Sequence, residues 1–178
     1  MTRLFGLTGP AGCGKDTIAE RLMALHGFVP TAFADPLRSA ASEAFGVDYE
    51  HFIDRDKKDV VNAYWGMAPR QMLEQMWDAM RGKFGEDVFI RRWALTYNEI
   101  RDVASCVATD VRDERTAETI RDCGGIIIHV WRPGFEFEDG VHPSRRGIKF
   151  YEGDLVLAND RDIKALFEKV DKLLQEVG

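Results

Sequence analysis

The sequence predicts an α/β layer fold: a five-stranded parallel sheet flanked by helices, in a single domain spanning residues 1–178. Three observations carry that expectation. Short apolar runs alternate with stretches of helical spacing along the chain. A glycine-rich loop joins the first apolar run to the first helix. The 178 residues, 45% hydrophobic and 30% charged, are enough for one sizeable core.

The elements follow in order. Leu4-Phe5-Gly6-Leu7 reads as a short buried strand, and Thr17-Ile18-Ala19-Glu20-Arg21-Leu22-Met23 has the spacing of a helix. Val29 to Ala34 gives a second strand. Asp35-Pro36 reads as an N-cap with proline at the first helical position, opening a helix through about Phe45. Residues 47–63 carry Asp54, Arg55, Asp56, Lys57, Lys58 and Asp59 and read as a mobile surface excursion. Pro69 opens a helix with Met72, Leu73, Met76, Trp77 and Met80 on one face. The next helix runs from about Glu86 to Asp102 with Phe89, Trp93 and Ile100; Trp65, Trp77 and Trp93 are expected to pack this helical region.

Val103 to Thr109 is a third buried strand, ending at Asp110. A helix from about Glu114 to Cys123 leads through Gly124-Gly125 to Ile126-Ile127-Ile128-His129-Val130-Trp131, the clearest strand of all. Residues 132–153 mix Arg, Pro, Gly, His and Glu without periodicity. Leu155-Val156-Leu157-Ala158 is the fifth strand, and Ile163 to Val177 an amphipathic last helix. The expected organisation is a sheet with a helical insertion at about 36–100 and a lid at about 132–153. In a parallel sheet the β-to-α loops gather at one edge, where a ligand sits.

Composition narrows the class. No apolar run approaches the roughly 20 residues of a membrane span, and Gly9 to Lys15 interrupt any secretory signal. Three cysteines without metal-ligand spacing suit a reducing compartment, so a cytoplasmic protein is expected, in a host cytoplasm if the source is viral. A net charge of −6 argues against a polymeric nucleic-acid partner but leaves room for a small phosphorylated substrate held by a few arginines. A homodimer is compatible with the sequence.

The chemistry centres on Gly9-Pro10-Ala11-Gly12-Cys13-Gly14-Lys15-Asp16-Thr17, which fits G-x-x-x-x-G-K with Asp16 where Ser or Thr is expected. Strand, glycine loop, lysine and helix aim backbone N–H groups and a helix N-terminus at a polyphosphate, so the chain reads as a P-loop NTPase fold. The triphosphate-binding candidates are Gly9, Ala11, Gly12, Cys13, Gly14, Lys15, Asp16 and Thr17. Cys13 reads as a small residue tolerated in the loop, with an oxidation-sensitive thiol as the alternative. A carboxylate at position 16 adds negative charge beside phosphates, acceptable when a cation lies between them. Asp16 is therefore expected to contact the metal, directly or through water, with Thr17 on the α-phosphate side.

Asp110 leaves a hydrophobic strand where a Walker-B acid orients Mg²⁺, or it caps the helix that follows; both roles are compatible. Asp35 either starts its helix or also touches substrate. Arg70, Arg112, Arg132, Arg145 and Arg146 are the phosphate-binding candidates, because a guanidinium fork matches phosphate oxygens. Arg132 directly follows a strand, and Arg132 with Arg145-Arg146 brackets the expected lid, which would exclude water from the transfer. His129 reads as a packing histidine, and His142 is assigned no role.

These motifs, in this order, resemble the bacteriophage-type deoxynucleoside monophosphate kinases, a branch of the adenylate-kinase-like P-loop kinases. The similarity runs through Gly9 to Thr17, Phe33-Ala34-Asp35-Pro36-Leu37-Arg38, Pro69-Arg70-x-x-Leu73, Asp110-Val111-Arg112, Ile128 to Gly134, and Gly153 to Asp160. The resemblance implies transfer of the ATP γ-phosphoryl to a deoxynucleoside monophosphate (dNMP), yielding ADP and a dNDP, with Mg²⁺ as cofactor. It implies Lys15 and Arg132 on the transferring group, Arg70 and Arg112 on the acceptor phosphate, and Asn159 near the adenine; the reading of the residues adds Asp110 as catalytic, Asp35, Arg145 and Arg146 on the substrate, and Asp16 and Asp110 on the metal. Glu74 departs from the family's glutamine, and His142-Pro143-Ser144-Arg145 from its acid-ended lid motif. The rival readings are a kinase of the dephospho-CoA or phosphomevalonate type and an ATP-dependent regulatory switch.

Overall fold

The computed structural model describes residues 2–137 and 147–177. Its residues fall into two compact units: Met1–Ala32 with Trp93–Gly178, which holds the sheet, and Phe33–Arg92.

Five strands form in the first unit: β1 (Leu4–Thr8), β2 (Val29–Thr31), β3 (Cys106–Ala108), β4 (Ile126–Trp131) and β5 (Leu155–Ala158). They make one sheet in the order β2-β3-β1-β4-β5, with every pairing parallel. β1 lies in the middle and is buried along its whole length, which is why it reads as an unbroken apolar run. Its register sets Leu4 opposite Cys106 of β3 and Phe5 opposite Ile126 of β4.

Helices α1 (Lys15–His26) and α7 (Ile163–Glu176) cover one face. Phe5, Leu7, Val107, Ile128, Val130 and Leu157 pack there against Ile18 and Leu22 of α1 and Leu166, Val170 and Leu174 of α7. The opposite face meets α6 (Glu114–Asp122), whose Ile120 approaches Val111 and Ile127 around Gly6. Alternation along each strand thus feeds two packed layers. Asp113 starts α6 by accepting the Thr116 N–H at 2.9 Å, and Asp162 starts α7 by accepting from Ala165 at 2.8 Å.

The strand ends differ from expectation. Val103 to Ser105 lie outside β3, because pairing with β1 and β2 begins at Cys106; Val103 is instead 81% exposed. Likewise β2 stops at Thr31, short of Ala34.

The second unit is helical, with α2 (Asp35–Phe45), α3 (Glu50–Ile53), α4 (Pro69–Phe84) and the start of α5 (Val88–Ile100). Its core joins Ala41, Val47, Phe52 and Met72, flanked by Leu73 and Met76 from the predicted face of α4. The polar stretch 47–63 is therefore anchored by Val47 and Phe52, two apolar residues among charges. Trp65 donates to the Phe45 carbonyl at 2.9 Å, and Trp77 stacks on Phe89 at 4.2 Å. Trp93 belongs instead to the sheet-bearing unit, where it is 2% exposed and donates to Thr31 Oγ1 at 3.1 Å.

One ionic cluster ties α6, β4 and the approach to β5. The Asp154 carboxylate, 2% exposed, accepts two bonds from Arg121 at 2.9 and 2.7 Å and one from the Tyr151 N–H at 3.0 Å. His129 Nε2 lies 3.1 Å from the same carboxylate, which accounts for a histidine in an apolar strand. Burial alone would raise the acid's pKa; the bonds from Arg121, Tyr151 and His129 outweigh it and hold Asp154 below the usual carboxylate range. A group so depressed stabilises the fold above its unfolded pKa, and that contribution disappears as pH falls through the folded value. Asp154→Asn is expected to lose about 3 kcal/mol at neutral pH, because it leaves Arg121 partly buried without its charge partner. Urea unfolding against pH should also show a shallower acid decline in the variant than in the parent.

Candidate active site

The loop leaves β1 after Thr8 and enters α1 at Lys15. Gly9 and Gly14 are glycines of necessity. Gly9 has φ +147°, and a Cβ there would stand 2.5 Å from the Val130 carbonyl oxygen; Gly14 has φ +108°, and its Cβ would stand 2.5 Å from Asn159 Nδ2. Backbone and a neighbouring side chain therefore press directly on the loop.

Four loop carbonyls are held by side-chain donors. Lys15 Nζ donates to Gly9 at 2.7 Å and Pro10 at 2.8 Å, Arg132 Nη1 to Gly12 at 3.1 Å, and Asn159 Nδ2 to Cys13 at 2.9 Å. A peptide is planar, so fixing a carbonyl points the following N–H the opposite way: Ala11 after Pro10, Gly14 after Cys13. No side chain caps the N-terminus of α1, so its first N–H groups extend the same row of donors. Successive N–H groups with a helix N-terminus make an anion-binding nest.

Lys15 is the cation of this nest. Burial lowers its pKa most, the Arg112 charge adds to that, and Cys13 and Asp16 oppose it. That pattern brings Lys15, Arg112, Asp16 and Cys13 into one electrostatic neighbourhood. The buried Cys13 Sγ accepts from Lys15 Nζ at 3.8 Å. Asp16 lies exposed on the first turn of α1, and Thr17 follows it half-buried.

Asp110 is 6% exposed just beyond β3. It does not cap the following helix, since Asp113 does; the cap is three residues later because α6 starts only at Glu114. Arg132 is exposed immediately after β4, and its guanidinium lies 4.7 Å from the Phe135 ring centroid, which steadies its direction toward Gly12. Loop, Asp110, Arg112, Arg132 and Asn159 thus all leave the C-terminal ends of strands in one unit.

Asp35 and Arg70 belong to the helical unit. Ala34, not Asp35, is the N-cap of α2; Asp35 is already helical and accepts from Arg38 at 2.6 Å and from Tyr49 Oη at 3.4 Å. Arg70 forms a two-bond pair with Asp59 at 2.5 and 2.8 Å. Arg145 and Arg146, with His142, lie outside the described residues. Among the described residues no cluster of three or more His, Cys, Asp or Glu side chains forms a metal cage. No helix there is long and apolar enough to cross a membrane. A cavity of about 500 Å³ lined by Arg3, His26, Phe28, Ser105 and Asp171 contains no residue of this loop.

Sequence reasoning did not foresee the bracing of the loop. Arg132 reaches Gly12 across 120 residues and Asn159 reaches Cys13 across 146, contacts that only the strand order creates.

A deoxynucleotide monophosphate kinase family model matches residues 70–170. The chain is 33% identical to the deoxynucleotide monophosphate kinase of Enterobacteria phage T4, over 97% of this chain and 99% of that protein. It is 32% identical to a relative from Acanthamoeba polyphaga mimivirus, over 94% of this chain and 93% of the relative. Among solved structures, the dephospho-CoA kinase from Campylobacter jejuni superposes with a TM-score of 0.50 at 14% identity, over 99% of this chain and 98% of that one. At that identity the likeness speaks for the fold alone.

Gly9→Ala tests the loop, because the added Cβ would press on the Val130 carbonyl at 2.5 Å and on Cys13 Sγ at 2.8 Å. The Val130 carbonyl cannot retreat without disturbing the sheet, so the substitution is expected to destabilise by about 2 kcal/mol. Thermal unfolding and ATP titration would report it, the second as a loss of binding.

Proposed function

The chain belongs to the deoxynucleotide monophosphate kinase family, and we propose that it transfers the γ-phosphoryl group of ATP to a deoxynucleoside 5′-monophosphate. One observation carries the residue-level reading: Lys15, Arg132 and Asn159 all donate to carbonyls of a single glycine loop that opens a helix.

An oxygen of the acceptor phosphate attacks the γ-phosphorus, and the bond from that phosphorus to the β–γ bridging oxygen breaks. The products are ADP and a dNDP. The attacking oxygen is already ionised near neutral pH, so alignment and charge neutralisation dominate over proton removal. The row of loop N–H groups holds the triphosphate, with Gly9, Ala11, Gly12, Cys13, Gly14 and Thr17 shaping it. Lys15 Nζ keeps its loop carbonyls and turns its remaining donor to a phosphate oxygen, and the lowered pKa caused by its burial reflects a desolvated cation whose charged form a polyphosphate would stabilise. Arg132 is the cation for the transferring group. Arg112 lies in the Lys15 neighbourhood and is assigned to the acceptor phosphate. Asp35, Arg70, Arg145 and Arg146 are assigned to the acceptor or lid from their motifs.

The donor set suits Mg²⁺: Asp16 and Asp110 offer hard oxygens from α1 and from the end of β3, and this ion is ordinarily held by one or two carboxylates together with substrate phosphates. When bound it would neutralise charge on the β- and γ-phosphates. The charge balance supports small phosphorylated partners over polymeric nucleic acid, and the viral relatives support a host cytoplasm as the working compartment.

Coupled ADP release with each of the four common dNMPs and their ribonucleotide counterparts tests the proposal. ADP formation stimulated by at least one dNMP is expected; slow ATP hydrolysis indifferent to every acceptor would instead point to a regulatory switch. Arg132→Ala should lower turnover by about 10³-fold, with ATP binding weakened only several-fold by loss of the bond to Gly12; wild-type turnover would remove its assigned role. Asp16→Ala should shift half-maximal activity to higher Mg²⁺, and an unchanged metal dependence would count against Asp16 as a metal contact.

A further inference from the structure

Asn159 stands one residue beyond β5, where its location alone suggests a contact with whatever lies over the strand ends. Its bonds say otherwise. The backbone N–H donates to the Trp131 carbonyl at 2.8 Å, extending the β4–β5 ladder and fixing the residue's height at the sheet edge. From there Nδ2 donates to the Cys13 carbonyl at 2.9 Å. A Cβ on Gly14 would stand 2.5 Å from that same nitrogen, so the loop is cut to admit this amide. The residues on either side are tied down as well: Lys169 Nζ donates to the Ala158 carbonyl at 2.8 Å and to the Asp160 carboxylate at 2.5 Å. The amide therefore comes from a rigid support and meets the loop at the peptide that leads into α1.

We propose that Asn159 is a positioning residue for phosphoryl transfer, acting through the Cys13–Gly14 peptide rather than through the base of the donor nucleotide. Holding the Cys13 carbonyl fixes the plane of that peptide, and with it the direction of the Gly14 N–H. That N–H belongs to the row that receives phosphate, so Asn159 sets the geometry of the anion site without touching its occupant. The link to turnover rests on the kinase reading. The link to phosphate binding does not, because any polyphosphate seated on this loop would feel the same peptide.

The test uses the full chain and three probes: ATP, GTP and inorganic tripolyphosphate, the last having no base. Asn159→Ala removes one neutral hydrogen bond and is expected to weaken all three by the same factor, roughly fivefold. Asn159→Asp sets a carboxylate oxygen against the Cys13 carbonyl and should weaken all three further, by more than about tenfold. In the ligand-free protein, Gly14 amide hydrogen exchange should accelerate in both variants while the core strands keep their protection. With saturating acceptor, KM for ATP should rise and kcat fall, with the acceptor KM unchanged. A loss confined to ATP, with tripolyphosphate bound as by the parent, would overturn the proposal in favour of a base contact; parental affinity for all three would overturn it outright. If the Asp variant fails to fold, the Ala variant still decides between these outcomes. Absence of dNMP-stimulated ADP release in the parent would sink the kinase reading alone, since the three-probe comparison needs no turnover.

Discussion

The constraint on which this molecule turns is the orientation of a few peptide planes between Gly9 and Lys15. An anion site made of backbone N–H groups works only if the matching carbonyls are held elsewhere, and carbonyls are too polar to be left without partners. Lys15, Arg132 and Asn159 supply those partners. The sheet exists in the form that lets them arrive: β1 lies in the middle, and β4 beside it and β5 beyond deliver Arg132 and Asn159 to the loop that β1 itself feeds. Gly9 and Gly14 mark the same requirement from the loop's side, since each is crowded by the structure that braces it.

Away from the loop, the sheet-bearing unit handles polarity by concentration. Asp110 and Asp154 are its buried carboxylates among the described residues, and at Asp154 Arg121, His129 and the Tyr151 N–H all converge on one group. A buried ion left with fewer partners would cost more than it returned. Asp171 receives Arg21 and His26 in a similar way near the ends of α1 and α7, and those bonds hold its pKa at about 2. Both clusters join elements far apart in sequence, so ionic contacts reinforce the apolar layers in fixing which helix lies where.

Much of this was legible in the sequence, for identifiable reasons. Buried parallel strands advertise themselves as apolar runs, and the phosphate loop has chemical demands that few residue choices meet, so both could be read locally. What could not be read depended on partners. Val103 is as apolar as Val107, but only the latter has a strand on either side. Asp110 and Asp113 are equally plausible caps by type, and the start of α6 chooses Asp113. Trp93 has helical spacing with Phe89, yet its indole N–H finds Thr31 in the sheet-bearing unit. Asn159 resembles a base-contacting residue by motif, and only the strand order reveals the carbonyl it faces.

The central place of β1 has a temporal consequence. Its neighbours are specified by residues made long afterwards: Leu4 meets Cys106, Phe5 meets Ile126, and the loop that follows waits for Asn159. A chain emerging from the ribosome therefore has only the local Lys15 bonds on this loop until β4 and β5 have been made and can deliver Arg132 and Asn159. Long-range closures of this kind slow folding and leave apolar segments exposed meanwhile. β1 gains its second neighbour only with β4, and the full bracing of the loop that follows it comes later still, with Asn159 beyond β5.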